Sequence, residues 1–502
     1  MTTTASSSAL ETLQRHMGVL TDLEHIASLL EWDQQTHMPA GAAEARAGQL
    51  ASLRRLVHER LTDERLGQWL DETQRQQHDE DTEVMLQLTR RHYEREQKIP
   101  ADFLEEYIRL CSQAQHIWAR ARQNDAFADF APTLERIVDM SRRRADYLGY
   151  DDHPYDALHD LYERGSTVAR LNRVFDELRQ DIVPLIVNIS SHGRDISDAL
   201  LQQHYDENQQ EAFALEAVRR FGYSFEHGRL DRTVHPFAIS MSKYDVRITT
   251  RYDPQNLAMA LFGTMHEAGH GMYEQGIADR YQRSILAESA SLGVHESQSR
   301  LWENIIGRSY SYWQYAYPAL QTRFPEQLSA VPLDLFYAAI NKVSPSFIRV
   351  EADEVTYNVH IMIRYELELA LIEGSLKVRD LPEAWNSKYQ QYLGITPPND
   401  RLGCLQDVHW AAGLIGYFPT YSLGNIMSMQ LFEAAVARHP SIEEDMQQGD
   451  FALLLTWLRD NIHQHGCKYT PEALLQRATG QALQAKPYLR YLKNKFGNLY
   501  RV

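Results

Sequence analysis

The stretch LAMALFGTMHEAGHGMYEQ, residues 257–275, places an HExxH motif inside a segment with the apolar periodicity of an α-helix. His266 and His270 are four residues apart, so a helix projects both imidazoles from one face, where they can bind one metal ion. Glu267 lies beside them and can act as a general base in amide hydrolysis. A His-Glu-His cluster buried among apolar side chains without a metal would be costly. The stretch therefore predicts a metal site on a buried helix.

Two glycines interrupt the same helical segment, at Gly269 and Gly271. A glycine in a helix interior costs about 1 kcal/mol relative to alanine. We therefore expect another backbone, or a substrate, to approach the helix closely at this point.

A catalytic zinc site needs a third protein ligand and an open position. The metzincin continuation HxxGxxH is absent, because Tyr273 and Gly276 stand where that pattern has glycine and histidine. Residues 286–307 read as a second helix that supplies further candidates: Glu288, His295, Glu296 and Glu303. We expect Glu296, 296 − 270 = 26 positions after His270, to be the third ligand. Spacing alone leaves Glu288 and His295 open, and any of these carboxylates could instead pair with Arg300 or Arg308.

The segment just before this helix has the period of a β-strand. In HPFAISMSKYDVRITTRY, residues 235–252, polar and apolar side chains alternate. Val246, Ile248 and Thr250 share one face, and the opposite face carries Asp245, Arg247, Thr249 and Arg251. The pattern predicts a small antiparallel sheet next to the HExxH helix, with an ordinary half-buried hairpin as the alternative.

Two further stretches combine polar side chains with apolar surroundings. In residues 346–372, Arg349 could bind a substrate carboxylate through its planar guanidinium, or could pair with Asp353 at a helix start. In residues 403–425, Tyr417 or Tyr421 could donate a hydrogen bond to an oxyanion, or could be an ordinary core aromatic.

Composition indicates a folded, water-soluble protein. The 502 residues are 43% hydrophobic and 24% charged, and the formal net charge of −17 argues against a nucleic-acid partner. Three cysteines without CxxC spacing argue against a disulfide framework and a thiolate zinc site, and fit the cytoplasm. Residues 1–9 lack the features of a signal peptide, and no apolar stretch has the ~20 residues that span a bilayer. We expect no membrane association.

Helical periodicity dominates the rest of the chain and predicts a mainly α fold. It recurs in residues 103–121, 167–183, 210–221 and 353–373, and Ser8 with Glu11 matches a capping box before a long first helix. No linker or repeat divides the chain, so we expect residues 1–502 to form one catalytic unit with its motifs within residues 235–425.

Six motifs together resemble the carboxypeptidase Taq family of zinc metallocarboxypeptidases. They are His235-Pro236-Phe237, Asp245-x-Arg247-x-Thr249, the HExxH at residues 266–270, His295-Glu296-Ser297-Gln298, Ile348-Arg349-x-x-Ala352-Asp353 and Gly403-x-x-Gln406-Asp407-x-His409-Trp410. Their order matches the family as well, and the resemblance covers essentially the whole chain.

The resemblance implies a helical fold with a deep active-site groove lined by a small sheet, in outline like neurolysin. It implies one Zn²⁺ per chain, for which Co²⁺ can substitute, bound by His266, His270 and Glu296, with Glu267 as the base. It further implies release of single C-terminal residues with broad specificity, poor action on C-terminal proline, and a homodimer. The substrate-binding residues that it suggests are Arg349, Arg247, His235, Gln406 and His409. We add Tyr421 to this set as a candidate donor to the oxyanion.

Two alternatives stay open at the level of sequence. A helical zinc endopeptidase or dipeptidyl carboxypeptidase would use the same ligands but would not need an arginine one residue beyond the scissile bond. A non-enzymatic helical scaffold with a structural metal would not need Glu267 as a base. The first differs from the leading hypothesis in the bond that is cut, and the second in having no reaction at all.

Overall fold

The computed structural model describes residues 8–502 and is 69% helical, which confirms the predicted mainly α fold. The expectation about the N-terminal stretch, residues 1–9, falls mostly outside the described residues. The helices are α1 (Ala9–Thr36), α2 (Ala43–Leu61), α3 (Glu64–Thr73), α4 (Glu80–Lys98), α5 (Ala101–Asn124), α6 (Phe127–Leu148), α7 (Pro154–His159), α8 (Val168–His192), α9 (Glu207–Phe221), α10 (Leu257–Gly276), α11 (Leu292–Arg300), α12 (Tyr310–Arg323), α13 (Pro325–Leu328), α14 (Leu333–Ile340), α15 (Tyr357–Glu373), α16 (Leu381–Leu393), α17 (Pro419–Arg438), α18 (Ile442–Gln447), α19 (Ala452–Asn461), α20 (Pro471–Thr479) and α21 (Lys486–Tyr500). The strands are β1 (Gly228–Arg232), β2 (Ala238–Ser242) and β3 (Asp245–Thr250).

The first helix begins where the sequence predicts. The Ser8 side chain accepts a hydrogen bond from the Glu11 backbone N–H, and the Glu11 carboxylate accepts one from the Ser8 backbone N–H. This reciprocal pair satisfies two amide groups that a helix start leaves without partners. The capping box is therefore confirmed.

The sheet has three strands in the order β1-β3-β2. β2 and β3 form the predicted antiparallel hairpin, whereas β1 adds to β3 in parallel and was not predicted. Val246, Ile248 and Thr250 are fully buried, as their alternation predicts, and Thr249 is buried too. The sheet packs on α10, so it forms one wall beside the HExxH helix.

Among residues 8–502, two hydrophobic cores hold the helices together. The larger core includes α5 to α21, and it buries side chains of both the HExxH helix and the sheet. A smaller core joins α1, α3 and α4 to the segment around residues 277–286, with Leu13, Leu66 and Ile285 among its buried members. The N-terminal helices therefore pack against the chain that follows α10. The prediction of a single catalytic unit stays a prediction.

Close contacts explain three glycines, two of them between the helices α10, α11 and α17. A Cβ on Gly269 would lie 2.6 Å from the carbonyl oxygen of Gln298 and 2.7 Å from the Cα of Ser299, both in α11. One on Gly271 would lie 2.7 Å from the Tyr223 ring, and one on Gly424 of α17 only 2.5 Å from the Glu296 side chain. The expected close approach at Gly269 is thus that of a neighbouring backbone.

Two predicted helix boundaries are wrong. The predicted helix over 286–307 begins only at Leu292, because residues 285–287 form a short 3₁₀ turn and Ser291 caps the helix that follows. The chain continues from α11 into a π-helical segment, Leu301–Ile306, a rare form that is frequent at functional sites. The helix expected from Asp353 begins at Tyr357, since the Asp353 side chain accepts backbone N–H groups ahead of it.

Among residues 8–502, no helix combines the length and the apolar character that crossing a bilayer requires.

Candidate metal centre

Three side chains from α10 and α11 converge on one point. The Nε2 atom of His266 lies 3.7 Å from Glu296 Oε2, and His270 Nε2 lies 3.5 Å from the same oxygen. All three atoms lie within 4.8 Å of one another. Ligands about 2.1 Å from a tetrahedral zinc ion would be roughly 3.4 Å apart, so the spacing fits one ion.

Each histidine presents Nε2 to this point because its other ring nitrogen is engaged. His266 Nδ1 lies 2.8 Å from Glu303 Oε2, and His270 Nδ1 lies 2.5 Å from His295 Nδ1. Such outer partners fix the ring orientation and the tautomer of a metal-binding histidine. The donor set of two imidazoles and one carboxylate is one that zinc accepts, so the residues fit the metal.

Two hydrogen-bond donors, Arg300 and Ser299, hold the Glu296 side chain in place. Arg300 Nε donates to Glu296 Oε1 at 2.6 Å, and Ser299 Oγ donates to Glu296 Oε2 at 3.0 Å. Arg300 also contacts Glu303 at 3.3 Å, which ties the outer partner of His266 to the same network. Although burial raises the pKa of Glu303, Arg300 and His266 lower it to about 2, so this carboxylate is ionised.

The two histidines have different electrostatic surroundings. Burial lowers the pKa of His266, but the carboxylates of Glu296 and Glu303 outweigh it and raise the pKa overall. Burial lowers the pKa of His270 well below its usual value, and the nearby His295 and His266 act in the same direction. His270 is therefore a neutral imidazole, the form that binds metals.

Glu267 has a buried carboxyl group beside these side chains. It is 7% exposed, and no hydrogen bond to its carboxyl group is found among residues 8–502. Burial raises the pKa of Glu267 to about 7; His266 opposes this shift and Glu296 adds to it. A carboxyl group with a pKa near neutrality can both take up and release a proton, as a general base and acid must.

Arg349 lies in a buried ionic cluster, at the start of a short 3₁₀ turn rather than in an α-helix. Its Nε and Nη2 atoms donate to the two Asp407 oxygens at 3.0 and 3.1 Å, and its Nη1 donates to the Tyr357 hydroxyl at 2.9 Å. Arg364 donates to the same Asp407 carboxylate at 2.5 Å. Among residues 8–502, Asp407 is the one carboxylate within ion-pair distance of either guanidinium, so two positive charges share one negative charge. The alternative pair of Arg349 with Asp353 does not form.

Arg247 is engaged in a different way. It donates to both carboxylate oxygens of Asp245 at 2.8 Å, and its guanidinium carbon lies 4.1 Å from the centre of the Trp32 ring. Arg229, paired with Asp231, also lies over Trp32, at 5.2 Å. The charges of these arginines are balanced one to one, and Trp32 joins α1 to the sheet.

The other predicted substrate-binding residues have varied surroundings. Gln406 is buried, accepts from the Arg349 backbone N–H and donates to the Phe347 carbonyl, so it supports the turn that carries Arg349. His409 and Tyr421 are half-buried, with 3.5 Å between Nε2 and the hydroxyl, and Tyr421 lies under the Arg349 guanidinium at 4.9 Å. His235 is exposed in the bend between β1 and β2.

Both tyrosines that could face an oxyanion lie beside this cluster. The rings of Tyr417 and Tyr421 are 5.3 Å apart, and both are half-buried.

Glu288, an alternative third ligand, is exposed and lines a cavity of about 300 Å³. It is not part of the group that converges on Glu296.

Comparison with known proteins identifies the family. The model of the carboxypeptidase Taq (M32) metallopeptidase family matches residues 12–496. The chain belongs to this family. Thermostable carboxypeptidase 1 of Thermus thermophilus is 42% identical over 513 residues, covering 100% of both chains, and carboxypeptidase 1 of Bacillus subtilis is 41% identical over 475 residues, covering 94% and 95%. The crystal structure of the M32 carboxypeptidase from Deinococcus radiodurans R1 is 42% identical, with a TM-score of 0.96 over 98% of this chain and 100% of that one.

As a member of the carboxypeptidase Taq family, the protein is a metallocarboxypeptidase, a hydrolase of peptide bonds. The family resemblance drawn from the six motifs is confirmed. The alternative of a non-enzymatic scaffold is thereby excluded.

Sequence reasoning missed two residues of this site and gave a third a different role. Arg364 and Glu274 were not singled out, and Glu303, a candidate ligand, instead contacts His266 Nδ1. Glu274 follows His270 by four residues, so helical spacing placed it on the same face and could have found it. Arg364 gave no such signal, since its partner Asp407 is 43 residues away in the chain.

Proposed function

We propose that this metallocarboxypeptidase is zinc-dependent and releases single C-terminal residues from peptides with broad specificity, acting poorly on C-terminal proline. The observation that carries the proposal is the convergence of His266, His270 and Glu296, with the buried Glu267 next to the first histidine. Zn²⁺ at such a site supplies a Lewis acid that polarises a carbonyl group and lowers the pKa of water.

Glu267 moves the proton in the proposed reaction. Its carboxylate takes a proton from the attacking water and then returns that proton to the leaving amine, so one side chain serves both halves of the hydrolysis. Tyr421 or Tyr417 donates a hydrogen bond to the oxygen on which negative charge develops.

Arg349 is the proposed partner of the substrate's terminal carboxylate, and Arg247 is the second candidate. The charge balance around each favours Arg349. Arg349 and Arg364 have one carboxylate between them, which leaves one positive charge for an incoming anion, whereas Asp245 neutralises Arg247. A planar guanidinium binds a carboxylate through two parallel hydrogen bonds, which adds direction to the attraction. His235, Gln406 and His409 are proposed to line the groove around it.

A peptide ladder experiment tests the proposed reaction. The purified protein is incubated with a ten-residue peptide, with and without a zinc chelator, and the product masses are followed over time. We expect stepwise loss of single C-terminal residues that stops with the chelator and returns when zinc is restored. Release of C-terminal dipeptides would favour a dipeptidyl carboxypeptidase, and an internal cut would favour an endopeptidase; either result would contradict the proposal.

A matched pair of arginine variants tests how the terminal carboxylate is bound. Each variant is assayed on one peptide with a free C-terminus and on the same peptide amidated. Arg349→Lys keeps the charge but loses the planar fork, so the ratio of kcat/KM for acid over amide should fall at least tenfold. Arg247→Lys should leave that ratio within twofold. Equal losses on both peptides for Arg349→Lys would contradict the assignment.

Two further properties rest on the family resemblance, and two rest on the cysteine content and the continuity of the sequence. We propose that Co²⁺ can replace Zn²⁺, that the protein forms a homodimer, and that it acts in the cytoplasm as one catalytic unit. Light scattering coupled to gel filtration tests the assembly, because a monomer mass of 58.1 kDa would contradict the dimer.

A further inference from the structure

A chain of three side chains runs from the proposed ligand His270 to the wall of a cavity. His270 Nδ1 lies 2.5 Å from His295 Nδ1, and His295 Nε2 lies 2.9 Å from Glu274 Oε1. We propose that His295 and Glu274 are positioning residues that hold His270 in the tautomer whose Nε2 atom is free to bind the metal. This inference rests on the proposed metal centre.

The direction of these hydrogen bonds follows from the groups at the end of the chain. A carboxylate only accepts hydrogen bonds, so His295 donates to Glu274 through Nε2–H. In a neutral imidazole the Nδ1 atom of His295 then carries a lone pair and accepts, which requires His270 to donate through Nδ1–H. With its proton on Nδ1, His270 has a lone pair on Nε2, the atom that lies 3.5 Å from Glu296 Oε2.

Packing fixes the middle member of the chain. The His295 ring lies 4.5 Å from the His270 ring and 5.3 Å from the Tyr273 ring. Tyr273 is fully buried, and its hydroxyl accepts a hydrogen bond from the Ala290 backbone N–H at 3.1 Å. His270 and Glu274 are four residues apart on α10, whereas His295 belongs to α11. The chain therefore links the two helices that carry the proposed ligands.

The two ligand histidines have outer partners of different kinds. His266 contacts a carboxylate directly, and that carboxylate is itself tied to Arg300. The Nδ1 atom of His270 is connected to a carboxylate only through a second imidazole, and Glu274, which supplies that carboxylate, is half-buried in the wall of the 300 Å³ cavity. Loss of Glu274 should therefore weaken metal binding less than loss of His295, because His295 alone still offers an acceptor in one of its tautomers.

Zinc affinity, measured on the metal-free protein by competition with a chromophoric chelator, tests the inference without reference to activity. The variants are His295→Leu, Glu274→Gln, their double variant and Glu288→Gln. Glu288 lines the same cavity, so Glu288→Gln makes the same change of side chain beside Glu274 without touching the chain of hydrogen bonds.

We expect the zinc Kd to rise about 10- to 100-fold in His295→Leu, the range found when outer partners of metal ligands are removed. It should rise roughly three- to tenfold in Glu274→Gln and stay within twofold in Glu288→Gln. The double variant should match His295→Leu, because Glu274 acts through His295. If His295→Leu does not fold, the contrast between Glu274→Gln and Glu288→Gln decides the question.

Three results would overturn the inference: equal effects of Glu274→Gln and Glu288→Gln, additive losses in the double variant, or unchanged affinity in His295→Leu. Failure of the metal centre itself would look different. In that case the wild-type protein would not bind one zinc ion per chain, or His270→Ala would bind zinc as tightly as the wild type.

Discussion

Replacing Gly269 by alanine tests how tightly the HExxH helix is fitted against the helix that carries Glu296. The added Cβ would lie 2.6 Å from the Gln298 carbonyl oxygen and 2.7 Å from the Ser299 Cα. An ordinary contact of this kind is about 3.4 Å, so α10 and α11 would have to separate by roughly 3.4 − 2.6 = 0.8 Å. Metal sites tolerate only about ±0.2 Å in ligand distance. We therefore expect the zinc Kd to rise at least tenfold.

Stability should respond in the same direction. Overpacking costs about 1–3 kcal/mol, which exceeds the gain of about 1 kcal/mol from alanine in a helix, so the free energy of unfolding should fall. Gly263 provides a matched control on the same helix, because its added Cβ would meet only Thr250 Oγ1, at 3.8 Å. Gly263→Ala should stabilise the protein by up to about 1 kcal/mol and leave zinc affinity within twofold. A Gly269→Ala variant that behaves like this control, by chelator competition and urea unfolding, would refute the reasoning.

Two further predictions concern residues away from the ligands. The Glu163 carboxylate accepts a hydrogen bond from the Gly293 backbone N–H, and burial raises the pKa of this group from the usual 4.5 to about 7. Between these two pH values the folded protein binds one proton more than the unfolded chain. The free energy of unfolding therefore falls as the pH rises through this range. The free energy of unfolding of Glu163→Gln, relative to that of the wild type, should therefore rise by up to about 3 kcal/mol between pH 4.5 and pH 8. Urea unfolding at several pH values measures this difference, and a difference that does not change with pH would contradict the prediction. Trp32→Ala removes a buried ring and its two arginine contacts, at a cost of about 3–5 kcal/mol, so α1 should become at least tenfold more sensitive to limited proteolysis. Trp32→Phe should increase the sensitivity of α1 to proteolysis less than Trp32→Ala does. If proteolysis of α1 is unchanged in Trp32→Ala, the ring does not hold this helix.

The sequence predicted the parts of the site that depend on local periodicity. The spacing of His266 and His270 sets their common face on any helix, and the alternation at Val246 and Ile248 requires one buried face on any strand. The capping box at Ser8 is equally local. Each of these features involves residues within one turn of a helix or one strand, so the pattern alone determines the geometry.

The parts that sequence missed depend on contacts between distant residues. β1 has little apolar alternation, and each of its residues pairs with a residue of β3 that lies 18 positions later in the chain. Arg349 and Asp407 are 58 residues apart, so the sequence suggested the nearer Asp353 instead. The ionic cluster and the outer partner of His266 therefore became visible only when the helices were placed side by side.

The central claim is that Glu267 moves a proton at a zinc site built from His266, His270 and Glu296. Zinc content and peptide hydrolysis, measured together on Glu267→Gln, test it most directly, with Glu296→Gln as the variant that should lose the metal. We expect Glu267→Gln to keep one zinc ion per chain while kcat falls about 10²- to 10⁴-fold. Retention of more than a tenth of the wild-type rate, or loss of zinc from Glu267→Gln, would contradict the account.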